Sequence, residues 1–519
     1  RDAQESRGLG DVYKRQPLCC DLTGTGYHQH AEQERESASC KSGIGILQGR
    51  EIITIEKTIW NQKRRFSEIS GERRFLLLIL EKTQRKFRKT FDFIRMEFTC
   101  VCYAENQFRE NKRKGEKEMK VLITTDWYKP AINGVVTSVC NLREELQQRG
   151  HEVKILTLSR TAHSYEEEGV IYMGSVNAGY IYPGARLRVS PGRELYCRII
   201  EWQPDIVHSQ CEFSTFFMAK RIVEECKIPL VHTYHTVYED YTHYFSPYKK
   251  WGRDMVQFLT RRISEKVDSM IAPSTKIETL LKGYKIQCPV SVIPSGIDLE
   301  KYAAQSRTGV REQIRRKYGI AKETTVLLYV GRLAKEKNLE ELLEYQQKVQ
   351  ESDTMLMIVG GGPYLEILRK KAAELGVMES VIFTGMVSPA EVASYYPAGD
   401  LFVSASTSET QGLTYAEALA AGLPLLCRRD QCLRAVVEEG KNGWQYRTEE
   451  EFLKDLKNWK EKEDDERRGM CSYAKQSAEI FSQKRFAGSM EQLYQRQIEE
   501  KQVEREKRLA KSRQYCILG

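Results

Sequence analysis

SASTSETQGLTYAEALAAG, residues Ser404 to Gly422, holds a change from one periodicity to another. Just before it, Leu401-Phe402-Val403 is a short apolar run of the kind a buried parallel strand presents. Ser, Thr and Gln then fill a polar loop. From Gly412 the apolar residues recur at helical spacing, with Leu413, Ala416, Leu419 and Ala420 on one face. Gly422 suits the left-handed position after a helix end, and Pro424 prevents continuation. The stretch therefore predicts a strand, a tight loop and a helix start. Glu409 stands in the loop and Glu417 in the first turns of the helix. A helix start attracts an anion through its free N–H groups and positive dipole end. An acid on either side can hold hydroxyls. A phosphate between two sets of hydroxyls describes a nucleotide-sugar.

Outward from this stretch the same alternation fills most of the chain. Strands are expected at 325–330, 355–359, 381–384, 401–404 and 423–427. Earlier ones are expected at 120–125, 152–158, 205–209, 230–234, 269–272 and 291–293, with helices between them at 136–148, 213–226 and 250–266. Such alternation predicts parallel sheets covered on both faces. A polar linker near 299–309 divides the pattern in two. The expected fold is α/β, with two doubly wound Rossmann-like domains at 119–298 and 299–470 facing across a cleft, then a charged helix and tail at 471–519. Ligands of such sheets bind beyond the carboxyl ends of the strands.

Residues 1–118 lack this pattern. Just before Met119 runs KRKGEKE, Lys112 to Glu118, and every residue of it can be written in purine-only codons. A translated ribosome-binding site would produce such a run, so 1–118 is expected to be a translated upstream region, the alternative being a disordered basic extension. Across the whole 519 residues, 41% hydrophobic and 29% charged residues describe a globular protein. The net charge of +9 fits an anionic substrate or lipid surface without requiring one. The 14 cysteines are scattered without metal-ligand context and read as reduced thiols. The apolar run Phe75 to Leu80 is too short to cross a bilayer.

Five constellations carry chemistry. Gly331 to Asn338, GRLAKEKN, follows a strand and offers Arg332 and Lys337, a fork and a point charge that suit a diphosphate. Val359 to Pro363, VGGGP, has glycines that would let a ligand approach the backbone. Glu409 and Glu417 are the third. Val231 to Tyr241, VHTYHTVYEDY, leaves a strand end with His235 among aromatics and acids, which suits a carbohydrate. Pro130 to Val136, PAINGVV, places Gly134 at a helix start.

In this order, on two such domains, the five resemble the GT-B glycosyltransferases of family 4, over Met119 to the late 490s. The resemblance implies that Arg332 and Lys337 bind the diphosphate of the nucleotide and that Glu417 holds the ribose hydroxyls. It implies that Gly412 and Leu413 offer backbone N–H groups to the distal phosphate, with Gly134 close by. His235 and Glu409 would be the catalytic residues beside the transferred sugar. The first domain would take the acceptor and the second the nucleotide-sugar. Within the family, NGVVTSV from Asn133, HTYHTVYEDY from His232 and SETQGLTYAE from Ser408 look most similar to bacterial diacylglycerol glucosyltransferases. That implies glucose transfer from UDP-glucose to the 3-hydroxyl of 1,2-diacylglycerol with retention of configuration. One departure stands out. Where many members carry a Gly-Gly pair, this chain reads Arg428-Arg429-Asp430-Gln431-Cys432.

A lipid acceptor predicts a membrane-facing surface. His243 to Arg262 interleaves Tyr244, Phe245, Tyr248, Trp251, Met255, Phe258 and Leu259 with Lys249, Lys250, Arg253, Arg261 and Arg262. Tyr248, Lys249, Lys250, Trp251 and Arg253 are the candidates for the acceptor side. No Asp-x-Asp lies at a strand end, so neither an essential metal nor another cofactor is expected. No nucleic-acid partner is expected, and the location implied is cytoplasmic, peripheral to the inner face of the cell membrane. The rivals are another family-4 enzyme using mannose or galactose, a nucleotide-sugar epimerase of the same architecture, and a dinucleotide oxidoreductase. The last lacks its Gly-x-Gly-x-x-Gly after the first strand.

Overall fold

The structure is a computed structural model describing residues 118–179, 185–189, 192–239, 249–304, 309–349 and 353–518, all within one compact unit. The expectation for the first 118 residues therefore lies, but for its last residue, outside the described residues.

In the first half of the described chain the strands are β1 (Lys120–Thr124), β2 (Glu152–Leu158), β3 (Tyr165–Glu167), β4 (Val170–Met173), β5 (Ser175–Asn177), β6 (Arg186–Arg188), β7 (Ile206–Ser209), β8 (Leu230–Thr233), β9 (Ser269–Ala272) and β10 (Val290–Val292). The second half has β11 (Thr325–Val330), β12 (Thr354–Val359), β13 (Val381–Gly385), β14 (Leu401–Ser404), β15 (Leu425–Arg428) and β16 (Gly443–Tyr446). The helices that position the site are α1 (Gly134–Gln148), α2 (Ser214–Cys226), α3 (Lys249–Ser264), α4 (Thr275–Gly283), α5 (Leu413–Ala420) and α6 (Gln483–Leu518).

The first sheet runs β10-β9-β8-β7-β1-β2-β4-β3 and the second β13-β12-β11-β14-β15-β16. All pairings within them are parallel except the edge pair β3–β4. Each sheet is doubly wound. The chain leaves β1 through β2 and returns on β1's other side as β7; likewise it leaves β11 through β12 and returns as β14. The loops after β1 and β7, and those after β11 and β14, therefore diverge at the two points where the winding reverses. That is where open α/β sheets bind ligands.

Alternate residues of each strand feed opposite faces. On β1, Val121 and Ile123 pack with Val139, Leu142 and Leu146 of α1, while Leu122 packs with Phe216, Ala219 and Ile222 of α2. On β11, Val326, Leu328 and Val330 meet Tyr415, Ala416 and Leu419 of α5, while Leu327 and Tyr329 serve the other face. The expected α/β architecture is the one formed. Strands β3 to β6 and β16 are additional: at three or four residues they are too short to show a period.

The expected boundary after residue 470 needs correction. It cuts through the helix Asp464–Ser477, whose Ala474 joins the second sheet's core. The charge that suggested a tail lies on outer faces. Beyond it, α6 is not a tail at its start: Phe486, Ala487, Met490, Leu493 and Tyr494, at helical spacing, complete the core between α1 and β1. The chain passes between the two sheets at two adjoining places. Ile297 N–H donates to the carbonyl of Phe481 at 2.8 Å, and Gln483 N–H donates to that of Ile297 at 3.1 Å.

Candidate active site

The carboxyl ends of the two sheets meet. Gly134 opens α1, with Asn133 as its cap: the Asn133 side chain accepts from Val136 N–H at 2.9 Å. A Cβ added at Gly134 would stand 3.6 Å from Cδ1 of Leu413, the first residue of α5. Two helix starts thus face each other. Gly412 caps α5 in the left-handed region at φ 76°, and a Cβ there would come within 2.4 Å of the Tyr415 ring, so glycine is required on both counts.

Hydrogen bonds, those of Ser295 buried, hold this apposition. Gln411 accepts from Ser295 N–H at 2.7 Å and donates to its carbonyl at 2.9 Å. The Ser295 hydroxyl accepts from Ser138 of α1 at 3.0 Å. Ser274 donates to the carbonyl of Thr410. Lys276 in the first turn of α4 donates to the Thr407 carbonyl at 2.7 Å and pairs with Asp430 at 2.6 Å. The loop that departs from the family pattern is therefore docked on α4, where Gln431 also donates to Thr279 at 3.2 Å.

On the second sheet, Lys337 and Glu409 form an ion pair at 2.5 Å. Burial opposes the charge of Glu409, but Lys337, the Ser406 hydroxyl and Lys276 outweigh it and hold the carboxyl below its usual value. Arg332, next along the same loop, pairs with Glu336. Glu417 lies in a different setting. It accepts from Tyr396 at 2.5 Å, and burial raises its carboxyl above the usual value against the Tyr396 and Tyr302 hydroxyls and Lys301. The two acids are held in opposite directions.

Two glycines of VGGGP serve a close contact between backbones. A Cβ on Gly360 would stand 2.0 Å from the Gly331 carbonyl, and one on Gly362 2.2 Å from that of Leu333. Gly360 and Gly362 let the loop after β12 lie against the backbone of the loop that carries Arg332. Leu333 N–H donates to Gly361 across that contact at 2.9 Å.

On the first sheet, His235 follows β8 and its Nε2 lies 2.6 Å from Oε1 of Gln210, which follows β7. Burial, then the neighbouring His232, pushes the imidazole down to about 3. No hydrogen bond or ion pair joins His235 to Glu409 among the described residues. Asp126, after β1, accepts from Thr215 N–H at 2.8 Å at the start of α2, and burial lifts its carboxyl to about 6.

Of the acceptor-side candidates, Tyr248 lies outside the described residues, as does the side chain of Lys249. Lys250 is exposed. Trp251 is 60% exposed, and Phe258 and Leu259, seven and eight residues on, are 54% and 50% exposed. They form the outer face of α3, while Val256 and Thr260 face inward. Arg253 also points outward and reaches Glu239 at 3.3 Å. Phe213 and Phe217 at the start of neighbouring α2 are likewise exposed. Sequence reasoning passed over them, and over Gln210, Lys276 and Gln411. The signal for Gln210 was a polar residue directly past a buried strand end. For Lys276 and Gln411 it was a partner more than a hundred residues away.

Among the described residues no helix is long and apolar enough to cross a membrane, and no group of three or more His, Cys, Asp or Glu is gathered for a metal ion.

Two family profiles match the chain: Glycosyltransferase Family 4 over residues 132–301 and Glycosyl transferases group 1 over residues 310–477. The alpha-monoglucosyldiacylglycerol synthase of Streptococcus pneumoniae is 37% identical over 338 residues, 63% of this chain and 75% of that protein. The protein of the same name from Acholeplasma laidlawii is 35% identical over 352 residues, 65% of this chain and 87% of that one. Among solved structures, sucrose-phosphate synthase from Thermosynechococcus elongatus superposes with a TM-score of 0.59 at 18% identity, over 73% of this chain and 99% of that one. HepE of Anabaena, in complex with UDP and glucose, gives 0.58 at 18% identity over 72% and 99%. These structures share the two-domain fold.

Proposed function

The chain belongs to glycosyltransferase family 4, and from that premise we propose that it moves glucose from UDP-glucose to the 3-hydroxyl of 1,2-diacylglycerol at a membrane surface. The observation that carries the reading is the apposition of two helix starts, Gly134 on one sheet and Gly412–Leu413 on the other. Helix starts bind anions through free N–H groups and a positive dipole end. A diphosphate is the ligand whose charge such a pair would neutralise, with Lys337 and Arg332 supplying the balance. Glu417 lies one turn into α5, where it would accept from ribose hydroxyls. The glucosyl-diacylglycerol product is supported by the names of the relatives from Streptococcus pneumoniae and Acholeplasma laidlawii.

In this reading the bond from the anomeric carbon to the β-phosphate oxygen breaks as UDP leaves. The acceptor oxygen bonds to the same face of the sugar, and its proton passes to the departing phosphate. The configuration is retained and no metal takes part. Lys337, Arg332 and the N–H groups at Gly412 and Leu413 stabilise charge on the leaving group. Glu409 and His235 orient the sugar beside it. Diacylglycerol reaches the cleft from a bilayer on which the outer face of α3 rests, with Trp251 and Phe258 at the headgroup level and Arg253 and Lys250 meeting anionic lipid.

The test is direct. The chain from Met119, given UDP-glucose and vesicles of diacylglycerol in anionic phospholipid, should release UDP and form α-glucosyl-diacylglycerol, with chelator present. Turnover that needs another sugar nucleotide or a soluble acceptor replaces the substrate reading. Loss of activity in chelator that magnesium or manganese restores overturns metal independence.

A further inference from the structure

A buried chain of polar groups runs from the last helix to His235, and the family reading makes no use of it. Tyr494 of α6 and His208 of β7 are fully buried, and Gln210 is 2% exposed. The Tyr494 hydroxyl lies 2.6 Å from Nδ1 of His208, and Nε2 of that ring lies 2.7 Å from the hydroxyl of Thr233 on β8. The amide nitrogen of Gln210 lies 3.1 and 3.0 Å from the two ring nitrogens of His208. Its oxygen, on the far side, lies 2.6 Å from Nε2 of His235.

The order of these contacts fixes protons. The structure turns the Gln210 amide with its nitrogen toward His208 and its oxygen toward His235. The oxygen then faces His235 and can only accept. The hydrogen between them is therefore carried by Nε2 of His235. A neutral ring holds one N–H, so Nδ1 of His235 is left as an acceptor. Among the described residues no group donates to it.

We propose that Gln210 is the positioning residue of His235: it holds the imidazole with Nε2 protonated, so that Nδ1 accepts a hydrogen bond from a hydroxyl of the transferred sugar, and α6 holds Gln210 in place through Tyr494 and His208. The inference rests on the reading of His235 as the residue that faces that sugar. It adds a direction to the contact, since the sugar donates and the ring accepts. Burial, and the like charge of His232, keep the ring neutral at ordinary pH. The titratable groups facing His235 from the packed elements are His232 beside it on β8 and His208 on β7, and His208 too is held neutral by burial.

Histidine-labelled protein, the full chain without donor or acceptor, gives the first measurement. Nitrogen NMR, with the His235 signals assigned by their loss in His235→Ala, should show one neutral ring protonated at Nε2 between about pH 5 and pH 8, the range in which an ordinary histidine titrates. A ring protonated at Nδ1, or one that takes up a second proton in that range, overturns the proposal. Because no substrate is present, this result stands apart from whether glucose and diacylglycerol are the true pair. The second measurement is Gln210→Met, which keeps the bulk and removes the accepting oxygen. It should let the Nδ1–H form appear and lower kcat about 100-fold, as a misplaced catalytic group does, with UDP affinity unchanged. Tyr494→Phe should give a smaller loss in kcat of the same kind. An unchanged tautomer in Gln210→Met, or weakened UDP binding with kcat intact, sinks the positioning role.

Discussion

Glu409 and Glu417 stand eight positions apart and are tuned in opposite directions by what the fold places beside them. Lys337 holds Glu409 ionised. Glu417 has tyrosine hydroxyls around it, and burial favours its protonated form. The signs for stability follow. The contribution of Glu409, whose value is lowered on folding, is present above the ordinary carboxylate range and is lost as pH falls through its folded value. That of Glu417, whose value is raised, is present below the ordinary range and is lost as pH rises through its folded value. Glu417→Gln, neutral at every pH, should therefore raise Tm at neutral pH. It should also raise the donor KM about tenfold. A lower Tm, or an unchanged KM, contradicts the assignment. Lys337→Met leaves Glu409 buried without its cation and should lower stability by about 3–5 kcal/mol, with kcat down at least about 100-fold; denaturant titration and turnover measure the two separately. Both acids and Gly412 were legible because one short stretch holds them. The Lys337–Glu409 pairing was not, because its members stand 72 residues apart and only the neighbouring ends of β11 and β14 bring them together.

At the scale of elements, α3 separates two explanations of the same residues. A helix packed on a sheet buries one stripe, and Val256 and Thr260 supply it here. Nothing in that packing requires Trp251, Phe258 and Leu259 on the outer face, where each is at least half exposed. Changing all three to Ser should leave Tm nearly unchanged, since exposed positions contribute little to folding. Co-sedimentation with anionic vesicles should fall at least about tenfold, and so should glucosylation of vesicle-borne diacylglycerol. Vesicle binding that survives the triple change moves the membrane face elsewhere. Among the strands, the long buried ones were readable as apolar runs. Of β3 to β6, three are three-residue pieces that carry no period, and β4, the apolar run Val170–Met173, is a strand that the sequence reading passed over. The glycines after β12 were visible but their use was not. A glycine run states that something passes closely, and only the fold reveals that it is the backbone of the adjoining loop.

For the whole molecule, two sheets joined at carboxyl ends were expected and found. The periodicity that predicts each sheet cannot say how the two are tied. The ties are Gln411 with Ser295, Lys276 with Asp430, and the paired crossing of Ile297 and Gln483. The part played by α6 was also hidden, because its charged outer surface masked five inward residues. Ending the chain after Ser482 should open the first sheet's core at Phe486, Met490, Leu493 and Tyr494. Since removal of one large core side chain costs about 2–5 kcal/mol, loss of four should leave a first domain that binds a hydrophobic dye and gives no cooperative melt. A cooperative melt of the truncated chain would show that α6 is dispensable. The same arrangement sets a timetable on the ribosome. The first sheet is complete once Val292 has been made, yet its closing helix begins only at Gln483. At about 5–20 residues per second the intervening stretch takes on the order of ten to forty seconds. Throughout that interval an apolar face on the nascent chain waits for the last segment to be translated, so the order of synthesis and the order of folding run against each other in this half of the molecule.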